Sequence, residues 1–118
     1  MPARLLLVDD EPALADLLKK YLERLGYEVH VCGSAEDALP VFDADPKRFD
    51  LVLTDLTLPG INGEEMLERM RLRHSGLRAI VSSGYPHHPR SKHTGFLQKP
   101  FVPKMLAEMI EKKLKTPS

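Results

Sequence analysis

Five side chains in this sequence could do chemistry together: Asp9, Asp10, Asp55, Ser83 and Lys99. Each stands at the end of a short apolar run or just beyond it. Asp9 and Asp10 follow residues 5–8, Asp55 follows 51–54, Ser83 closes the run that starts at Ala79, and Lys99 follows the brief run 96–98. An acidic residue after such a run is commonly only a turn former or a helix cap, so no single one of these says much. Brought to one place, three carboxylates repel, and a hard divalent cation such as Mg2+ or Mn2+, held through oxygens and water, relieves the repulsion. One lysine neutralises only part of that charge. The bland alternative, a salt-bridged rim, does not explain why so many runs end this way.

The elements that must position these residues are legible in outline. The apolar runs 5–8, 51–54 and 79–82 lack clean alternation, as strands do when both faces of a parallel sheet are covered. Residues 28–32 and 96–98 are further strand candidates. Between them lie helical patterns. Leu14, Leu17, Leu18, Tyr21, Leu22 and Leu25 recur at helical spacing, with Pro12 suited to a first turn and Gly26 to a C-terminal cap. Ser34 is placed to cap a second helix whose inner face is Ala35, Ala38, Leu39 and Phe42, with Pro40 expected to weaken or kink it. A third is expected from Gly63 to near Gly76, and the last carries Met105, Leu106, Met109, Ile110 and Leu114, with Lys112, Lys113 and Lys115 near its end. Alternation of strand and helix predicts an α/β, doubly wound parallel sheet of about five strands. In such a sheet ligands bind beyond the carboxyl ends of the strands, where the candidate residues stand.

The chain has 118 residues, which fits one domain with a core over about 4–114 and a tail at 115–118. Hydrophobic residues are 42% and charged residues 29%, a soluble globular composition with no apolar run of bilayer length. The N-terminal apolar stretch is too short for a signal peptide, so the expectation is a cytoplasmic protein without membrane insertion. The lone Cys32 allows no intrachain disulfide and reads as a small buried residue at a strand end. Seventeen Lys and Arg balance 17 Asp and Glu, so no direct nucleic-acid binding is expected.

The segments LLLVDDEP, LVLTDLTLPGINGEE, IVSSGY and GFLQKPF resemble, in order and spacing, the signature segments of bacterial response-regulator receiver domains. The likeness runs from about Arg4 to Leu114. It implies a flavodoxin-like sheet of order 2-1-3-4-5 and a two-component signalling switch, which is not an enzyme beyond promoting its own phosphorylation and dephosphorylation. Asp55 would be the phosphoacceptor, served by a histidine kinase or phosphotransfer protein, or by a small phosphodonor. Mg2+ would be bound by Asp10 directly, by Asp9 through water, by Asp55, and by the backbone carbonyl of Thr57. Lys99 would pair with a phosphoryl oxygen, and Lys99-Pro100 would be a cis peptide. Ser83 would be the switch hydroxyl, in preference to Ser82 on period-two grounds, with Phe96 turning inward behind it. Pro59, Gly60 and Gly63 would shape the loop after the acceptor. An effector domain or kinase in a longer protein, and a homodimer, are compatible with the family.

One segment departs from the pattern. Residues 84–94, GYPHHPRSKHT, carry two prolines and no apolar periodicity where the family has its fourth helix. That helix is expected to be shortened or missing, leaving a loop, or at most one or two turns, and an altered output face. His87, His88 and His93 in this loop have no evident carboxylate or cysteine partner, so solvated side chains are expected rather than a metal site. Rival classes fit less well. A haloacid-dehalogenase-type hydrolase would carry Asp-x-Asp after the first strand, where this chain has Asp9-Asp10-Glu11. A flavodoxin-like cofactor carrier would need a hydroxyl- and glycine-rich loop there. A non-phosphorylated pseudo-receiver, acting as a docking or dimerisation module, would commonly have lost Asp10, Asp55 or Lys99, and all three are present.

Overall fold

The computed structural model describes residues 2–115. Five strands, β1 (Arg4–Val8), β2 (Glu28–Cys32), β3 (Leu51–Asp55), β4 (Ala79–Ser83) and β5 (Thr94–Gln98), alternate with α1 (Pro12–Arg24), α2 (Ala35–Ala44), α3 (Gly63–Arg71) and α4 (Pro103–Lys115). All strand pairs are parallel and the order is β2-β1-β3-β4-β5. The doubly wound expectation holds, and the order reverses beside β1.

The three inner strands, β1, β3 and β4, read as largely apolar runs because each one feeds two cores. Leu6, Val8, Val52, Ala79 and Val81 pack with Ala38, Phe42, Met66, Leu67 and Met70 from α2 and α3. Their strand neighbours Leu5, Leu7, Leu51, Leu53 and Ile80 meet Leu18 and Leu22 of α1 and Leu106 and Ile110 of α4 on the other face. Period-two alternation therefore sorts the residues between two buried sides, with no side left polar.

Local signals account for most boundaries. Pro12 opens α1, and Gly26 closes it with φ +100°, its N–H donating to Glu23 and that of Tyr27 to Leu22 in a Schellman arrangement. Ser34 accepts from the Asp37 N–H at 3.0 Å, as its position predicted. Pro40 lies inside α2 without ending it, because Phe42 and Ala38 are held fully buried in the core. α3 stops at Arg71, short of the expected Gly76, since beyond Met70 the apolar stripe lapses and Leu72 stands exposed. Lys115 is the last residue of α4 and not the start of a tail; Thr116, Pro117 and Ser118, the rest of the expected tail, lie outside the described residues.

Residues 84–93 join two neighbouring parallel strands without a helix, as their prolines foretold. The C-terminal end of this strap is fixed by hydrogen bonds from Ala79 N–H to His93 O (3.0 Å) and from Thr94 N–H to Ser91 O (3.1 Å). Arg71 braces the start of β5, its guanidinium donating to Leu77 O and, at 2.8 Å, to Thr94 Oγ1.

Candidate functional site

The carboxyl ends of β1, β3, β4 and β5 meet at one edge of the sheet. Asp9 prolongs β1, its N–H donating to Cys32 O at 3.1 Å, and its side chain is buried, 6% exposed. Its Oδ1 accepts the Glu11 N–H at 2.8 Å, an Asx-type turn that brings the chain round into α1. Asp10 and Glu11 are exposed beside it. Asp55 is the last residue of β3 and 8% exposed. One carboxylate oxygen from each of Asp9, Asp10, Glu11 and Asp55 lies within 4.8 Å of the others. Lys99 reaches in from beyond β5, with Nζ 3.0 Å from Asp55 Oδ2 and 3.7 Å from Glu11 Oε1.

Backbone bonds hold these tips together. The Lys99 N–H donates to Ser83 O at 2.8 Å, and Leu56 N–H to Ser82 O at 2.8 Å, so β4 is tied to both flanking strands. The Thr54 hydroxyl donates to Asp55 O, and Gly63 N–H to Leu56 O, closing the loop after Asp55. A Cβ at Gly63 would stand 2.4 Å from Asp55 O, so the loop closes this tightly only because that residue has no side chain. Gly60 adopts φ +76°, and the Glu36 carboxylate accepts the neighbouring Ile61 N–H at 3.1 Å. Thr57 sits in this loop, exposed, and the Lys99-Pro100 bond is cis.

The electrostatics follow from burial. Desolvation raises the Asp55 pKa above the ordinary carboxylate value, the Lys99 hydrogen bond and charge oppose this, and Asp10 and Glu11 add to it. Asp9 is raised for the same first reason, countered by the Glu11 N–H. For Lys99, burial disfavours the ammonium, but the hydrogen bond and charge of Asp55, with the charges of Asp9 and Glu11, together outweigh it and the pKa rises. Four carboxylates face one ammonium. At the 4.8 Å limit of the cluster, each like-charge pair costs roughly 1 kcal/mol at the dielectric of water and roughly 3 kcal/mol at an effective dielectric of about 20.

Ser83 is buried, its Oγ accepting the Tyr85 N–H at 3.0 Å. Ser82 is half-buried and lines, with Asp9, Asp55 and Phe101, a cavity of about 20 Å³. Phe96 is half-buried with its ring edge-on to His87, centroids 6.2 Å apart. His87 differs from the expectation of a solvated loop histidine: its Nε2 lies 2.8 Å from Oε2 of Glu64, a carboxylate only 2% exposed. Sequence reading missed this partner because Glu64 is 23 positions away on another element. It also passed over Glu11 and Glu36; the run Asp9-Asp10-Glu11 signalled the first, and nothing local signalled the second.

The response regulator receiver domain model matches residues 5–111. This chain belongs to the response regulator receiver family. Among curated relatives, the sensor kinase CckA of Brucella abortus (strain 2308) is 34% identical over 120 residues, covering 93% of this chain and 13% of that protein. Response regulator protein FleR of Pseudomonas aeruginosa is 32% identical over 116 residues, covering 93% of this receiver chain and 24% of that protein. The chain thus spans a minor part of the length of both. Among solved structures, the receiver domain of the hybrid histidine kinase CckA superposes with TM-score 0.87 at 31% identity, covering 96% of this chain and 100% of that one. Response regulator TrrA of Thermotoga maritima, solved with Mg2+-BeF, gives 0.80 at 31%, covering 94% and 98%. No helix among the described residues of this receiver is long and apolar enough to cross a membrane.

Proposed function

We propose that this receiver is a phosphoacceptor switch in which Asp55 takes a phosphoryl group from a phosphohistidine of a kinase or phosphotransfer protein, or from a small phosphodonor. A carboxylate oxygen of Asp55 forms the new bond to phosphorus as the bond from phosphorus to the donor breaks, and the electron pair leaves with the donor. The product is an acyl phosphate. The observation that carries this reading is the ion pair of Lys99 with Asp55 at 3.0 Å inside a four-carboxylate cluster.

The donor set fits Mg2+ or Mn2+: all four side chains offer hard oxygens, none offers nitrogen or sulfur, and one lysine relieves only part of their mutual repulsion. Asp10, Asp55 and the Thr57 carbonyl would hold the ion directly and Asp9 through water. When bound, the ion supplies positive charge that offsets the charge on the transferring group. Lys99 contributes the second cation, placed to follow a phosphoryl oxygen as Asp55 loses its own charge. Ser83 then turns its hydroxyl toward the phosphoryl group, and Phe96 packs into the space behind, which transmits the event along β4 and β5. Phe96 has no hydroxyl, so this step works through packing. On this reading the chain is a cytoplasmic signalling switch whose partners are a histidine kinase or phosphotransfer protein. Incubation with acetyl phosphate and Mg2+ should add one phosphoryl group by intact mass, and Asp55→Asn should abolish the addition. Addition that persists in Asp55→Asn would remove Asp55 from the mechanism.

A further inference from the structure

The strap 84–93 that replaces a helix is held against α3 through one buried acid. Glu64, in the first turn of α3, is 2% exposed. Its Oε2 meets His87 Nε2 at 2.8 Å and accepts the Arg90 N–H at 3.0 Å, so both hydrogen bonds come from the strap. The Arg90 guanidinium pairs with Glu68 one turn further along α3. A carboxylate removed from water must find partners, and hydrogen bonds to a charged group are the stronger ones. Lifting the strap would return Glu64 to water, which satisfies it again. The two positions thus differ by a modest free energy, as a switch requires.

The same strap touches both residues assigned to switching. Its first turn is anchored where Ser83 Oγ accepts the Tyr85 N–H, and its His87 ring stands edge-on to Phe96. A Ser83 hydroxyl that turned to a phosphoryl group would leave the Tyr85 N–H, and a Phe96 ring that turned inward would leave His87. We propose that residues 84–93 are an autoinhibitory strap, and that the pairing of His87 and Arg90 with Glu64 is the latch that holds it against α3 until Asp55 is phosphorylated. This rests on the phosphoacceptor reading of Asp55.

Coupling of this kind is reciprocal: if activation undocks the strap, undocking it must favour activation by the same factor. His87→Leu keeps an apolar contact for Phe96 and removes the His87 bond to Glu64. Two quantities decide the matter: amide hydrogen exchange across residues 84–93, and the affinity for beryllofluoride with Mg2+. In the wild type, exchange in the strap should rise when beryllofluoride binds. In His87→Leu it should be fast already, and beryllofluoride should bind about fivefold more tightly, the lower end of usual coupling factors. Unchanged exchange in His87→Leu overturns the latch. Fast exchange with unaltered affinity overturns its coupling to Asp55. A wild type that fails to bind beryllofluoride overturns the phosphoacceptor reading and the coupling with it, which separates that failure from one of the latch alone.

Discussion

At the scale of single residues, the acidic cluster is a place where charge works against the fold. Burial raises the pKa of Asp9, so the folded chain holds a proton there more tightly than the unfolded chain does. The stability this group contributes is fully present below its ordinary value of 3.8 and is lost as pH rises through the folded value. Asp9→Asn keeps the oxygen that accepts the Glu11 N–H while removing the charge. In chelator at neutral pH the variant should therefore melt above the wild type, and the difference should shrink as pH falls toward 4; thermal melts by circular dichroism at a series of pH values read this directly. A variant that melts lower at neutral pH would mean that the Asp9 charge is already well compensated by Lys99. The pairing of Glu64 with His87 shows the opposite arrangement, a buried acid with its partners in place.

At the scale of elements, the loop from β3 to α3 is the part whose shape the site cannot do without. It leaves Asp55, carries Thr57, and closes at Gly63 with no room for a methyl group against Asp55 O. Gly63→Ala should force backbone to move and cost about 1–3 kcal/mol or more, the range for overfilled positions. Urea denaturation measures that loss, and because the displaced atom belongs to Asp55, beryllofluoride binding should weaken alongside it. Retention of both would show that the loop can shift without disturbing the acceptor. The strap makes the converse point: residues 84–93, with prolines at 86 and 89, form no helix, and Phe96 of the adjoining β5 is half-buried.

At the scale of the whole molecule, the two cores and the metal-site proposal meet in one measurable quantity. An ion that binds the folded chain and not the unfolded one stabilises it by mass action, about 2.7 kcal/mol at a hundredfold excess over its dissociation constant. Mg2+ should raise the melting temperature of the wild type, chelator should reverse the rise, and Asp10→Asn should blunt it; a melt indifferent to Mg2+ would count against the site. The sequence by itself determined the strand and helix order, the caps at Ser34 and Gly26, the missing helix, and the strand-end placement of Asp9, Asp10, Asp55, Ser83 and Lys99. Those features are written in spacing between near neighbours along the chain, where apolar period and turn chemistry act. Only the tertiary structure decided that the Glu11 carboxylate, which the run Asp9-Asp10-Glu11 merely signalled, reaches Asp55 and Lys99, that Glu36 holds the Ile61 N–H, that α3 ends at Arg71, and that Glu64 takes His87 and Arg90. Each of these except the end of α3 joins groups far apart in sequence, and such contacts depend on how the sheet stacks its helices, which no local pattern encodes.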